Sequence, residues 1–275
     1  MGMPCTPALG RYGIWRSCDA STPSTAALLD ELGFAALWIG GSPAPDLRLI
    51  EQALDASEHL VIATGVVTIS SAPPAQLADA YKRVVGRYPD RLLLGIGTGG
   101  LPFAALKPYI DELLAGDVPR EHLVVGALNP RAIQLAGACT AGAHPYLVTP
   151  EHTRRARGWV GTGSLLAPEQ RVVLGVERSD FAAAVESVRH PYLSFPSSRR
   201  ILEYLGYAGE LDDGGSERLM TDLIVSGGDE VIAGRLEEHI TAGADHVAVQ
   251  VIERPGHALD DDYRTLAGLL GLGVR

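Results

Sequence analysis

The chain has 275 residues, 46% of them apolar, and a formal net charge of −10. That length suits one large α/β domain or two small ones, and the acidic balance argues against nucleic acid, whose phosphates need a basic footprint. No run reaches the ~18–20 apolar residues of a membrane span.

Positions 1–20 lack the apolar core of a signal peptide. The three cysteines, Cys5, Cys18 and Cys139, are odd in number and have no metal-type spacing. A reduced, cytoplasmic compartment is the expectation.

Taken in order, the chain alternates strand-like and helix-like segments. Tyr12–Trp15 reads as a first strand, followed by a helix over Pro23–Leu32 with Ser21 or Thr22 as cap and Gly33 as stop. Ala35–Gly40 is a second strand, Asp46–Ser57 a helix, and His59–Val67 a third, nearly continuous apolar strand. A helix over Pro74–Val85 leads to the fourth strand, Arg91–Ile96.

Phe103–Leu114 is helical, His122–Ala127 a fifth strand, Pro130–Cys139 a helix and His144–Val148 a sixth strand. A short helix near Glu151–Arg157 precedes the seventh strand, Arg171–Val176. Asp180–Leu205 is helical, a Gly/Asp-rich stretch over Gly206–Ser216 interrupts it, and a helix over Asp229–Ala242 leads to the eighth strand, His246–Ile252. Asp260–Leu270 is a terminal helix.

Strands that alternate with helices pair in parallel through crossovers, and eight of them favour a closed barrel over an open sheet. The expectation is one domain over residues 1–275, a (β/α)8 TIM barrel with a helical insertion between strands seven and eight.

In such a barrel the chemistry lies at the C-terminal ends of the strands. His122, His144 and His246 precede or open strands, and Glu169 and Gln170 precede the seventh, so all five are expected at the opposite end. The C-terminal rim then holds Trp15, Arg16 and Ser17; Gly40, Gly41 and Ser42; Gly65–Ser70; Gly97–Gly100; Ala127–Asn129; Thr149; Glu177 and Arg178; and Gln250 and Glu253. It is poor in acids and bases and rich in small residues. No cluster of His, Cys and carboxylates points to a metal, and no G-x-S-x-G elbow is present. A rim of this kind suits a large planar cofactor better than hydrolysis.

Gly95, Gly97 and Gly100 satisfy the dinucleotide pattern G-x-G-x-x-G. That fingerprint belongs in a first βαβ unit, with an acid closing the next strand ~20 residues on. Here three strand–helix units come before it, and the next strand ends in Ala127-Leu-Asn.

Six segments resemble the luciferase-like oxidoreductases in order: Gly33-Phe-Ala-Ala-Leu-Trp-Ile-Gly40, Ile62-Ala-Thr-Gly-Val-Val67, Tyr88-Pro-Asp-Arg-Leu-Leu-Leu-Gly-Ile-Gly97, Gly126-Ala-Leu-Asn-Pro-Arg131, Gly142-Ala-His-Pro-Tyr-Leu-Val-Thr-Pro150 and Ala242-Gly-Ala-Asp-His-Val-Ala-Val-Gln250. Within that superfamily the chain is most similar to the coenzyme F420-dependent branch. The resemblance implies the same barrel and a deazaflavin, or alternatively FMN, across its mouth. It also implies a non-prolyl cis peptide at Gly65–Val66 supporting the ring.

It further implies cofactor contacts from Gly40, Gly65, Val66, Gly97, Thr98, Gly99, Gly126, Ala127, Leu128, Asn129 and Thr149. Trp15, Arg16 and Gln250 are the substrate-facing candidates, and a homodimer is the family's habit. Relatives usually place an acid at the end of strand two, another after the strand-four glycines and a third before the glycine of strand six. This chain has Gly41 and Ser42, Gly100, and Ala141 there.

No catalytic acid or base is therefore assigned. The expected activity is hydride transfer between coenzyme F420 and a small organic substrate. The alternatives are an FMN-dependent monooxygenase and a barrel that binds cofactor without catalysis.

Overall fold

The computed structural model describes residues 6–175, 178–189, 192–254 and 256–273. Its first half comprises β1 (Tyr12–Ser17), α1 (Pro23–Glu31), β2 (Ala36–Gly40), α2 (Arg48–Asp55), β3 (Val61–Gly65), β4 (Val67–Thr68), α3 (Pro74–Arg87), β5 (Leu92–Gly97), α4 (Leu106–Ala115), β6 (Leu123–Val125) and α5 (Pro130–Cys139). Then follow β7 (Gly142–Ala143), α6 (Pro150–Val160), β8 (Leu165–Leu166), β9 (Glu169–Leu174), α7 (Arg178–Arg189), α8 (Pro196–Leu202), α9 (Glu217–Leu223), β10 (Ile224–Gly227), α10 (Asp229–Thr241), β11 (Val247–Val251) and α11 (Leu259–Leu269).

Local chemistry sets several boundaries. The Thr22 hydroxyl caps α1 by accepting from the Thr25 amide, and Pro23 supplies a first helical residue that needs no donor. Thr149 caps α6 in the same way, and Ser216 caps α9.

The strands form one curled sheet in the order β10-β9-β11-β1-β2-β3-β5-β6-β7-β8, with β4 beside β5. The ladder pairs between these strands are parallel. The run 165–169 joins the two flanks. On one edge the Ala167 amide donates to the Ala143 carbonyl (3.0 Å) and the Glu169 amide to that of Pro145 (2.8 Å). On the other edge the Leu166 and Pro168 carbonyls accept from Asp245 and Ala248, each at 2.9 Å.

Side chains alternate across the sheet. Ile14, Leu37, Ile39, Leu92, Leu94 and Val249 join the layer shared with the helices. Ala36, Trp38, Ala63, Leu93, Val124 and Ala248 fill the inside of the curl. The alanines leave room for the Trp38 indole, which stacks on His144 (centroids 4.1 Å, 15° apart) and donates to His246 Nε2 at 3.0 Å.

Three expectations are corrected. The sixth strand is Gly142–Ala143 rather than His144–Val148: Pro145 has no N–H to give a ladder, and Leu147 stands at φ +50°. The third strand divides at Gly65–Val66 into β3 and β4. The seventh begins at Glu169, two residues early, and ends at Leu174, so its expected last residue Val176 lies outside the described residues.

Between β9 and β11 stand the expected helices, but also β10, a four-residue strand parallel to β9. Its apolar content is only Ile224 and Val225, too little to announce a strand in sequence. The helices of this segment bring Leu193, Ile201, Leu219 and Leu223 against Leu128, Leu147 and Val173, covering the ends of β6, β7 and β9.

Candidate functional site

The C-terminal ends of β1, β2, β3 and β5 bring Trp15, Gly40, Gly65, Val66 and Gly97 together. The half-buried Trp15 donates its indole N–H to the Gly65 carbonyl at 3.1 Å. Its ring packs against Gly40, where a Cβ would stand 1.9 Å from Trp15 Cζ2. The Gly65–Val66 bond is cis, as the resemblance implies.

The two methyls of Val66 seat on glycines of the next two strands. A Cβ on Gly97 would come within 2.6 Å of Val66 Cγ2, and one on Gly126 within 2.9 Å of Cγ1. At these strand ends the missing Cβ lets Trp15 and Val66 close directly onto the backbone, so the two side chains form the surface of this part of the rim.

The outer rim is made of hydroxyls. Ser42 Oγ and Thr68 Oγ1 lie 2.7 Å apart, Thr68 Oγ1 and Ser71 Oγ 2.9 Å, and Ser70 donates to the Gly99 carbonyl at 3.3 Å. Gly99 has φ +58°, and a side chain there would meet Ser70 Oγ at 2.5 Å, so the turn requires glycine. Gly99 is exposed and Thr98 half-buried beside it.

Other candidates are placed differently. Ala127, Leu128 and Thr149 are buried. The Leu128 carbonyl accepts from His152 Nε2 at 2.8 Å, and the Thr149 hydroxyl is occupied in capping α6. Asn129 leaves α5 without a side-chain cap and reaches the Ser197 carbonyl at 3.5 Å.

Arg16 turns to the outer layer. It donates to the Ala20 carbonyl (2.7 Å), the Tyr263 hydroxyl (3.3 Å) and Glu253 (3.4 Å). Gln250 is half-buried and alternates with Val249 and Val251, which face the helices, so it shares the inner face with Ala248. Glu177 lies outside the described residues.

Sequence reasoning placed His144 at the wrong end, whereas Glu169 opens β9 at the N-terminal end, as expected. His144 follows β7 rather than opening it, and its imidazole is fully buried against Trp38. The proline directly after it, which stops the strand, was the signal that could have placed it.

Glu169 and Arg171 are buried inside β9 and form an ion pair at 3.4 Å. Glu169 also accepts the Leu147 amide at 2.6 Å, and the Arg171 guanidinium lies over the Tyr192 ring at 4.6 Å. Burial pushes the Glu169 carboxyl above its ordinary range, and Arg171 opposes the shift. His246 lies at the N-terminal end as expected, its Nδ1–H donating to the Gly10 carbonyl at 3.0 Å. His122 lies there too, with Nδ1 2.7 Å from the Tyr81 hydroxyl. Among the described residues no group of three or more His, Cys, Asp or Glu could hold a metal ion.

No family model matches the sequence, and no curated protein matches it. Solved structures do. The coenzyme F420-dependent tetrahydromethanopterin reductase from Methanopyrus kandleri superposes with a TM-score of 0.72 at 15% identity, over 98% of this chain and 100% of that one. An F420-dependent secondary alcohol dehydrogenase in complex with an F420-acetone adduct gives 0.68 at 13%, over 96% and 99%.

The oxygenating constituent of 3,6-diketocamphane monooxygenase from Pseudomonas putida, in complex with FMN, gives 0.65 at 16%, over 97% of both chains. The chain has the fold of the luciferase-like oxidoreductases and monooxygenases.

Proposed function

We propose that the chain is a luciferase-like oxidoreductase, a closed (β/α)8 barrel with an insertion between its seventh and eighth strands. Its mouth holds coenzyme F420. The observation that carries the reading is the glycine-lined rim in which Trp15 packs on Gly40, Val66 seats on Gly97 and Gly126, and the Gly99 turn stays exposed. A ring system fits against the surface that Trp15 and Val66 make, and a deazaflavin there would supply hydride transfer to or from a small organic substrate.

In this reading Gly65, Val66, Gly97, Thr98 and Gly99 hold the ring edge. Trp15 and Gln250 face the substrate, and protonation draws on the hydroxyl rim or water. In this reading the protein acts as a cytoplasmic homodimer.

FMN is the second reading, because the neighbours of this fold include a monooxygenase in complex with FMN. Fluorescence titration of the purified protein with F420 and with FMN tests both. Saturable quenching of F420 at micromolar concentrations is expected. Tighter binding of FMN would select the second reading, and binding of neither would remove both.

A further inference from the structure

The mouth has a buried acceptor at its floor that no donor among the described residues reaches. His144 is only 1% exposed. Its Nδ1 stands 2.7 Å from the Ala167 carbonyl. A carbonyl can only accept, so the ring proton sits on Nδ1 and Nε2 presents a lone pair. Burial holds this imidazole's pKa down at about 4, which keeps it neutral at physiological pH. Among the described residues Nε2 has no hydrogen-bond partner.

The direction of that lone pair is fixed. Trp38 stacks on the ring from one side, and the bond to Ala167 holds its edge. A Cβ on Gly65 would stand 3.1 Å from Nε2 and 3.0 Å from Trp15 Nε1. Nε2 thus faces the half-buried Gly65, beside an indole whose own N–H is already given to the Gly65 carbonyl. A buried acceptor left without a donor is costly, and native proteins rarely keep one without a use for it.

We propose that His144 Nε2 is the acceptor of a ligand subsite at the floor of the mouth, taking one O–H or N–H donor from the molecule bound against Gly65. The inference rests on reading the mouth as a ligand site, as above, and adds the class of group it selects. Alcohols, phenols and ring N–H groups satisfy the lone pair. A carboxylate sets its own lone pairs against it.

Phenol and benzoate are flat probes of similar size that differ in this one respect. With 15N-labelled protein, the Nε2 resonance of His144 should move toward the protonated-nitrogen position as phenol saturates, and benzoate should bind at least about tenfold more weakly, the worth of one hydrogen bond. His144→Phe keeps the stacked ring but should weaken phenol by a similar factor, and His144→Gln, which restores an acceptor, should recover part of the loss.

Phenol binding with Nε2 unmoved, benzoate binding as tightly as phenol, or no saturable phenol binding to the native chain would each overturn the proposal. The wild-type spectra decide even where His144→Phe fails to fold. Failure of F420 and FMN to bind would remove the cofactor reading and leave the phenol result to stand by itself.

Discussion

The indole of Trp15 occupies the space in which Gly40 would carry a side chain: Cζ2 lies 1.9 Å from the position of an added Cβ. Gly40 is buried in a strand, so nothing else about its backbone calls for glycine. The residue is small because Trp15 is large.

Gly40→Ala should therefore displace the indole or strain β2, at a cost of about 1–3 kcal/mol. Two measurements separate the outcomes. Urea unfolding reads the cost, and tryptophan emission reads whether Trp15 has moved toward water. An alanine variant with unchanged stability and unchanged emission would show that the close contact is not present in solution.

Acid should destabilise the fold well above the usual carboxylate range. Burial holds His144, His152 and His246 at about 4 and His239 at about 3. In the unfolded chain these rings titrate near 6.5. Between those values the unfolded state binds more protons than the folded one, so stability rises with pH through that window. It is fully present above about 6.5 and is lost as pH falls toward 4, on the order of 3 kcal/mol for one such ring. Glu169 has a raised pKa and acts in the opposite sense, but it is one group against four. Urea midpoints from pH 8 to pH 4 check this, and a flat profile down to pH 5 would contradict it.

The strand–helix alternation was legible because each apolar run is bounded by Gly, Pro or a capping residue, and β1, β2, β5 and β11 came within two residues of their observed ends. Side-chain commitments were not legible, because their partners lie far away in the chain. Arg16 reads as a free rim cation until Tyr263, 247 positions on, accepts one of its N–H groups. His144 was lost to a two-residue error in strand limits, since an end-of-strand rule converts a small shift into the wrong end of the barrel.

Thr149 separates a cap from a ligand contact. Its hydroxyl is buried and accepts the His152 amide at 3.3 Å. Thr149→Ala should cost about 1 kcal/mol of stability while leaving F420 or FMN affinity within about twofold. Thr149→Ser should recover most of the stability. A loss of cofactor affinity without a loss of stability would assign the hydroxyl to the ligand instead.

Gly97 and Gly100 frame the same turn and should respond to alanine in different ways. At Gly97 an added Cβ would come within 2.6 Å of Val66 Cγ2, so the methyl must push the residue that sits at the centre of the cradle. At Gly100 the backbone has φ +88° but no atom lies within 4 Å of an added Cβ. Gly100→Ala then costs only the backbone preference, about 1 kcal/mol, and leaves the cradle in place. Gly97→Ala should lower F420 or FMN affinity by at least about tenfold, because a displaced Val66 changes the surface against which the proposed ring would lie. Titrating both variants beside the native chain makes the comparison internal: equal losses would mean that the turn as a whole, rather than the Val66 seat, governs binding.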